Sequence, residues 1–157
     1  MSALQVVRIP RQLVVFRVGE THYALDIAVV DEILALLPIT PVAGAPRGIL
    51  GVADVRKRVI PVFDLHVKFG VPRPADDNES RLILVDPAGA PVAFLVDAVE
   101  EVITVQGEEF QQVLPPGNHE ALGYLSGILR RDDRLVLWVD PLGLAPEGLS
   151  ALEAAAA

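Results

Sequence analysis

An internal repeat constrains this chain more than any other feature. An offset of 69 positions aligns Leu13-Val14-Val15 with Leu82-Ile83-Leu84, Ala24-Leu25 with Ala93-Phe94, and Ile27 with Val96. The same offset aligns Val30 with Val99 and Glu32-Ile33 with Glu101-Val102. An offset of 76 then aligns Gly51-Val52 with Gly127-Ile128, Arg58 with Arg134, Ile60 with Val136, Val62 with Trp138 and Asp64 with Asp140. The larger offset fits a longer loop around Pro115 to Glu120. Glycines and charged residues coincide at the offsets that align the apolar ones, which separates a duplication from a chance overlay of two hydrophobic segments.

Within each half the pattern is that of short strands. Hairpins are expected over Gln12 to Ile27, Ile49 to Leu65, Arg81 to Val96 and Leu125 to Asp140. Their turns fall at Gly19-Glu20, Arg56-Lys57, Asp86-Pro87-Ala88-Gly89 and Arg131-Asp132-Asp133. Pro61 interrupts a strand-like run and is expected at an edge or a bulge, because it donates nothing to a ladder. Val29 to Leu37 and Val99 to Val105 are too short for periodicity to separate strand from helix. Asp64 reads as the N-cap of one or two helical turns closed by Gly70. Val71 to Ser80 and Gly107 to Leu122 read as polar, Pro-containing loops, and the Ala-rich end from Ser150 as a short frayed helix or a disordered tail. Two similar small β halves suggest two small barrels, since closure removes the exposed strand edges. The crevice between them is a natural place for a ligand or partner.

Composition narrows the chemistry. The chain has 157 residues, 52% of them hydrophobic, no cysteine and a net charge of −8. The length suits one domain, or two very small ones sharing a core. No uncharged apolar run approaches the roughly 20 residues of a membrane span, and Arg8 and Pro10 interrupt the N-terminal stretch, so a cytoplasmic location without membrane insertion is expected. Disulfides, thiol chemistry and thiolate metal sites are excluded. The basic clusters Arg56-Lys57-Arg58 and Arg130-Arg131 are small, which disfavours nucleic acid. His22, His66 and His119 have no second histidine at ligand spacing and read as surface or cap residues, so no metal or cofactor is expected. The glycines at 44, 48 and 51 lack the spacing of a phosphate loop, and Leu125-Ser126-Gly127 lacks the earlier glycine of a nucleophile elbow. Nothing here supports an enzyme.

One ordered series of motifs is specific. Tyr23-Ala24-Leu25-Asp26-Ile27 leads to Val30-Asp31-Glu32-Ile33, then Ile39-Thr40-Pro41-Val42. Gly48-Ile49-Leu50-Gly51-Val52 follows, then Val59-Ile60-Pro61-Val62-Phe63-Asp64-Leu65 and Phe69-Gly70. Together with Phe94-Leu95-Val96-Asp97, Val99 and Gly127-Ile128, this series resembles the CheW family over about residues 11 to 144. The resemblance implies a mainly all-β fold of two intertwined SH3-like five-stranded barrels with short helical turns. One barrel would be built mainly from 11–70 and the other mainly from 80–144, followed by a short tail over 145–157. It implies a non-catalytic adaptor, associated with chemoreceptor arrays. Its partners would be the signalling tip of a methyl-accepting chemoreceptor and the regulatory domain of a CheA-type histidine kinase.

Residue by residue, Glu32 matches the glutamate of the family's Val-x-Glu-Ile, and Arg56 the arginine of its Asn-Leu-Arg-Gly. The resemblance places both on the receptor-facing surface, where they can pair, with Asp54, Lys57 and Arg58 beside them. Val14, Ile27, Val30 and Ile33 occupy the kinase-facing positions, although strand alternation alone assigns several of them to the core. Two departures stand out. Lys57 replaces the family's glycine, and since lysine is disfavoured at positive φ the hairpin tip is expected to take another shape. His66 stands where the family often has arginine. The departures leave open an accessory protein that keeps the receptor interface alone. A further rival is a two-barrel peptide-binding module outside chemosensing.

Overall fold

The computed structural model describes residues 9–86, 89–114 and 123–145. The first half supplies β1 (Gln12–Val18), β2 (Thr21–Asp26), β3 (Val30–Ala35), β4 (Ile49–Val55), β5 (Arg58–Asp64) and helix α1 (Leu65–Phe69). The second supplies β6 (Arg81–Val85), β7 (Val92–Val96), β8 (Ala98–Thr104), β9 (Phe110–Val113), β10 (Leu125–Arg131), β11 (Arg134–Val139) and helix α2 (Pro141–Leu144). Both segments left open between helix and strand are strands, β3 and β8. Pro87-Ala88 of the third turn, His119, residues 115–122 of the second long loop and the tail beyond residue 145 lie outside the described residues. The described half of that loop is a correction, since Phe110–Val113 pairs with β10 as strand β9.

The strands form two sheets, ordered β8-β1-β2-β11-β10-β9 and β3-β6-β7-β5-β4. The repeat maps one order onto the other strand for strand. An isolated bridge from Thr40 to Val52 stands where β9 lies in the larger sheet. The sheets do not follow the two halves. Each half lends its first hairpin, β1-β2 or β6-β7, to the sheet built on the other half's remaining strands, so the two SH3-like barrels are intertwined. The larger sheet has six strands because β9 pairs over three residues of β10 (Gly127, Ile128 and Leu129), where Thr40 contributes only a bridge.

This exchange explains the near-continuous apolar runs of the lent hairpins. Leu13, Val15 and Ala24 face the interior of the six-stranded barrel with Ile103, Leu129 and Val136. Leu82, Leu84, Ala93 and Leu95 face the interior of the other with Ala53, Ile60 and Val62. The opposite faces of the same strands meet between the barrels, where Phe16, Val18, Tyr23 and Leu25 pack with Ile83, Val85, Phe94 and Val96. Phe63, Leu65, Val139 and Leu144 complete this layer. A strand buried on both faces needs apolar residues at successive positions rather than alternate ones. At about 1.5–3 kcal/mol for each fully buried large side chain, this shared layer holds the barrels together as one body.

Local chemistry sets the ends of the elements. Asp64 caps α1, accepting from the His66 amide at 3.0 Å, and Gly70 closes it with φ +69°. Its repeat mate Asp140 caps α2 in the same way through the Leu142 amide at 3.0 Å. Gly51 and its mate Gly127 lie against the carbonyl oxygens of Thr40 and Gln112, and an added Cβ would sit 2.1 and 2.9 Å from them. Both glycines are at register shifts that bend their strands. Pro61 lies in β5, an interior strand, and not at an edge. Val52 opposite it turns its amide and carbonyl to Thr40, so Pro61 occupies a non-hydrogen-bonded pair with β4. Its missing N–H points toward β7, where the parallel ladder begins only at Val62.

Candidate functional site: a charged hairpin tip and an apolar edge

The hairpin β4-β5 turns through Arg56 and Lys57, with φ of +52° and +69°. Both residues are left-handed, which makes this the compact two-residue turn whose twist suits a hairpin. The expectation of another shape is therefore corrected: Lys57 takes the conformation a glycine would take. Asp54 helps to hold it, its Oδ1 accepting from the Lys57 amide at 2.8 Å. Asp54 thus has a role inside the turn. The repeat mate turn, Asp132-Asp133, has φ of +49° and +65°.

β3 and β4 are the two outer strands of the five-stranded sheet, yet the Arg56 guanidinium donates to Glu32 Oε1. The pair spans the seam where the barrel curls shut. The two side chains are 77% and 22% exposed, Arg56 lying open and Glu32 half-covered. Lys57 and Arg58 are exposed beside them. The structure thus brings Glu32 and Arg56 together and places Asp54, Lys57 and Arg58 on the same tip. A quasi-equivalent pair closes the other barrel: Arg134 Nη2 donates to Glu101 Oε2 at 2.9 Å, and Arg134 also meets His22 Nε2 at 3.1 Å. Burial and the neighbouring Arg134 charge hold the His22 pKa below its ordinary value.

Of the four apolar candidates, three are accessible. Ile27 and Ile33 are 39% and 40% exposed. Val30, between them in the chain, is half-buried against the inter-barrel layer. Val14 is a correction. It is 1% exposed, on a strand paired on both sides, to Leu25 of β2 and Val102 of β8. It belongs to the core and has no surface to offer a partner. Val59, Val102 and Leu135 are exposed as well, and the repeat is the sequence signal for two of them: Val102 is the mate of Ile33, and Leu135 of Val59.

His66 is a second correction. It is 3% exposed, and its ring lies between two carboxylates. Nδ1 is 2.5 Å from Asp64 Oδ1, and Nε2 is hydrogen-bonded to Asp97 Oδ1. Asp97 Oδ2 accepts from the Gly19 amide at 2.8 Å, and Arg73 Nε lies 3.9 Å from Asp64 Oδ2. Burial disfavours the imidazolium, but the hydrogen bonds and charges of Asp64 and Asp97 outweigh it and hold the His66 pKa above its ordinary value. Burial likewise opposes ionisation of Asp64, and the His66 hydrogen bonds and charge overcome it, so its pKa lies below the usual carboxylate value. Chain spacing could not reveal this cluster, because Asp97 joins it across the fold.

The fold, the closing ion pair and the apolar edge can be set beside known proteins. The model of the CheW-like domain matches residues 12–148. The chain belongs to the CheW-like domain family. It is 31% identical over 131 residues to a probable chemotaxis protein CheW of Rhizobium etli, covering 83% of this chain and 84% of that protein. It is 28% identical over 130 residues to chemotaxis protein CheW of Rhizobium meliloti, covering 83% of this chain and 84% of that one. The crystal structure of the scaffolding protein TtCheW from Thermoanaerobacter tengcongensis superposes with a TM-score of 0.74 at 32% identity, over 84% of this chain and 90% of that chain. Among the described residues of this CheW-like chain, no helix is long and apolar enough to cross a membrane, and no group of His, Asp and Glu is placed to hold a metal ion.

Proposed function

We propose that this CheW-like protein is a non-catalytic adaptor that couples a methyl-accepting chemoreceptor to a CheA-type histidine kinase at cytoplasmic receptor arrays. One observation carries the reading. The exposed Arg56–Glu32 pair lies across the seam of a barrel whose edge strand also presents Ile33, with Ile27 just before it. A charged pair beside an apolar edge can give a partner both register and buried area. The receptor tip is assigned to the charged side, with Glu32, Arg56, Lys57 and Arg58. The kinase regulatory domain is assigned to Ile27, Val30 and Ile33. The tip keeps the left-handed turn that glycine would adopt, so Lys57 is no reason to remove either interface, and the two-partner reading is favoured over the accessory one.

The test is calorimetry of the whole protein against a receptor signalling-tip fragment and, separately, against the kinase regulatory domain. Micromolar binding to both is the expected result. Binding to the receptor fragment alone would replace this reading with the accessory adaptor. Binding to neither would overturn it.

A further inference from the structure

The His66 cluster joins parts of the molecule that the shared hydrophobic layer alone would hold less specifically. Asp64 ends β5 and His66 lies in α1, both on the five-stranded barrel. Asp97 is the single residue between β7 and β8, where the chain crosses from one sheet to the other. Its amide donates to the Arg17 carbonyl of β1 at 2.9 Å, and its Oδ2 receives the Gly19 amide from the β1-β2 turn. A continuous series of hydrogen bonds therefore runs from Asp64 through the imidazole and Asp97 into the six-stranded barrel.

Each ring nitrogen faces a carboxylate oxygen, and a carboxylate only accepts. A neutral imidazole carries one N–H, so it satisfies one carboxylate and turns a lone pair toward the other. Only the imidazolium satisfies both. We propose that His66 is a protonation-dependent clasp between the two barrels, closed as the imidazolium and opened at its Asp97 side when the ring loses a proton. The Asp64 side persists because the cap places Asp64 two residues from His66 and holds it with the His66 amide. The Asp97 side depends on tertiary placement alone.

The charged surroundings support this assignment. Arg73 flanks Asp64 from the loop that follows α1, and that loop also places Asp77 and Ser80 with His66 around a cavity of about 330 Å³. Arg17 of β1 and the loop residues Asp76 and Glu79 lie around Asp97 in an adjoining cavity of about 440 Å³. Arg17 is itself engaged with Glu100 and Glu79 at 3.2 and 3.4 Å, which leaves the imidazolium as the cation hydrogen-bonded between the two buried carboxylates. The sign follows from linkage. A histidine whose folded pKa is raised stabilises the protein fully below its ordinary value of about 6.5, and that stabilisation disappears as pH climbs through the folded value. The lowered Asp64 pKa acts in the other direction, being lost only as pH falls through the carboxylate range. The clasp is therefore strongest in mild acid.

The test combines nitrogen-15 spectra of the His66 ring, hydrogen exchange at the Gly19 amide and thermal melting from pH 6 to pH 9. Both ring nitrogens should be protonated at pH 6, and the ring should titrate above the ordinary histidine range. Over the same interval the protection factor of Gly19, corrected for intrinsic exchange, should fall about tenfold and the melting temperature by about 5 °C. His66→Arg, a permanent cation at this position, should make Gly19 protection flat with pH and remove the fall in melting temperature, leaving only the small rise that His22 gives as pH passes its ordinary value. His66→Gln should lack both falls as well, at the lower stability. If either variant fails to fold, the wild-type ring spectrum and Gly19 protection decide by themselves. A singly protonated ring at pH 6, or Gly19 protection independent of pH in the wild type, overturns the clasp.

Discussion

Replacing Lys57 with glycine should stabilise this protein, and the amount can be worked from the turn. Lys57 has φ +69° and follows Arg56 at φ +52°, so two consecutive residues with a Cβ occupy the left-handed region. That conformation costs an L-residue roughly 1–2 kcal/mol. Glycine removes this cost at position 57 but adds about 0.5–1 kcal/mol of backbone entropy to the unfolded chain. The balance is a gain of about 0.5–1 kcal/mol, or about 1–4 °C in melting temperature for a domain of this size. The substitution leaves the other local interactions intact. The Asp54 side chain accepts from a backbone amide that glycine retains, and Arg56 keeps its contact with Glu32. A graded series makes the assay diagnostic. By chemical denaturation, stability should rank Gly above Asn, Asn above Lys, and Lys above Val, since valine is β-branched and suits positive φ least. A Val variant as stable as the wild type, or a Gly variant less stable, would refute the left-handed turn and the reasoning built on it.

Other perturbations separate core from surface. Val14→Asp should abolish folding because it places an unpaired charge in a buried strand, whereas Ile33→Asp should fold with little change in melting temperature and weaken binding to the kinase regulatory domain; circular dichroism beside calorimetry reads both. Glu32→Lys should change stability by only about 0–1 kcal/mol, since its partner is mostly exposed, while lowering receptor-tip affinity at least several-fold; unchanged affinity would remove Glu32 from that surface. Gly51→Ala should destabilise by about 2–4 kcal/mol, measured by denaturant unfolding, because its Cβ would meet the Thr40 backbone oxygen and force β4 away from its bridge.

Much of this protein is legible in its residues because the relevant chemistry is local. Hairpins read from turn residues, Asp64 capping a helix that Gly70 closes, and the doubled order of elements all depend on neighbours in the chain. The ordered motifs from Tyr23 to Gly70 carried the family and, with it, the pairing of Glu32 with Arg56. The failures share one cause. An apolar residue in a strand shows which residues follow it but not what covers each face, so Val14 and Ile33 looked alike. The lent hairpins bury both faces of β1, and the edge position of β3 leaves Ile33 open. Pro61 read as an edge or bulge residue because only the parallel start at Val62 reveals where its missing donor would point. His66 read as a surface or cap residue because one of its two carboxylates is 31 residues away along the chain. By itself the sequence determined the repeat, the four hairpins and the family, since short-range sterics and hydrogen bonds dictate them. Only the tertiary structure decided which strands each barrel exchanges, which apolar side chains stay exposed and where a buried imidazole finds its second carboxylate, because those depend on contacts between residues that the chain holds far apart.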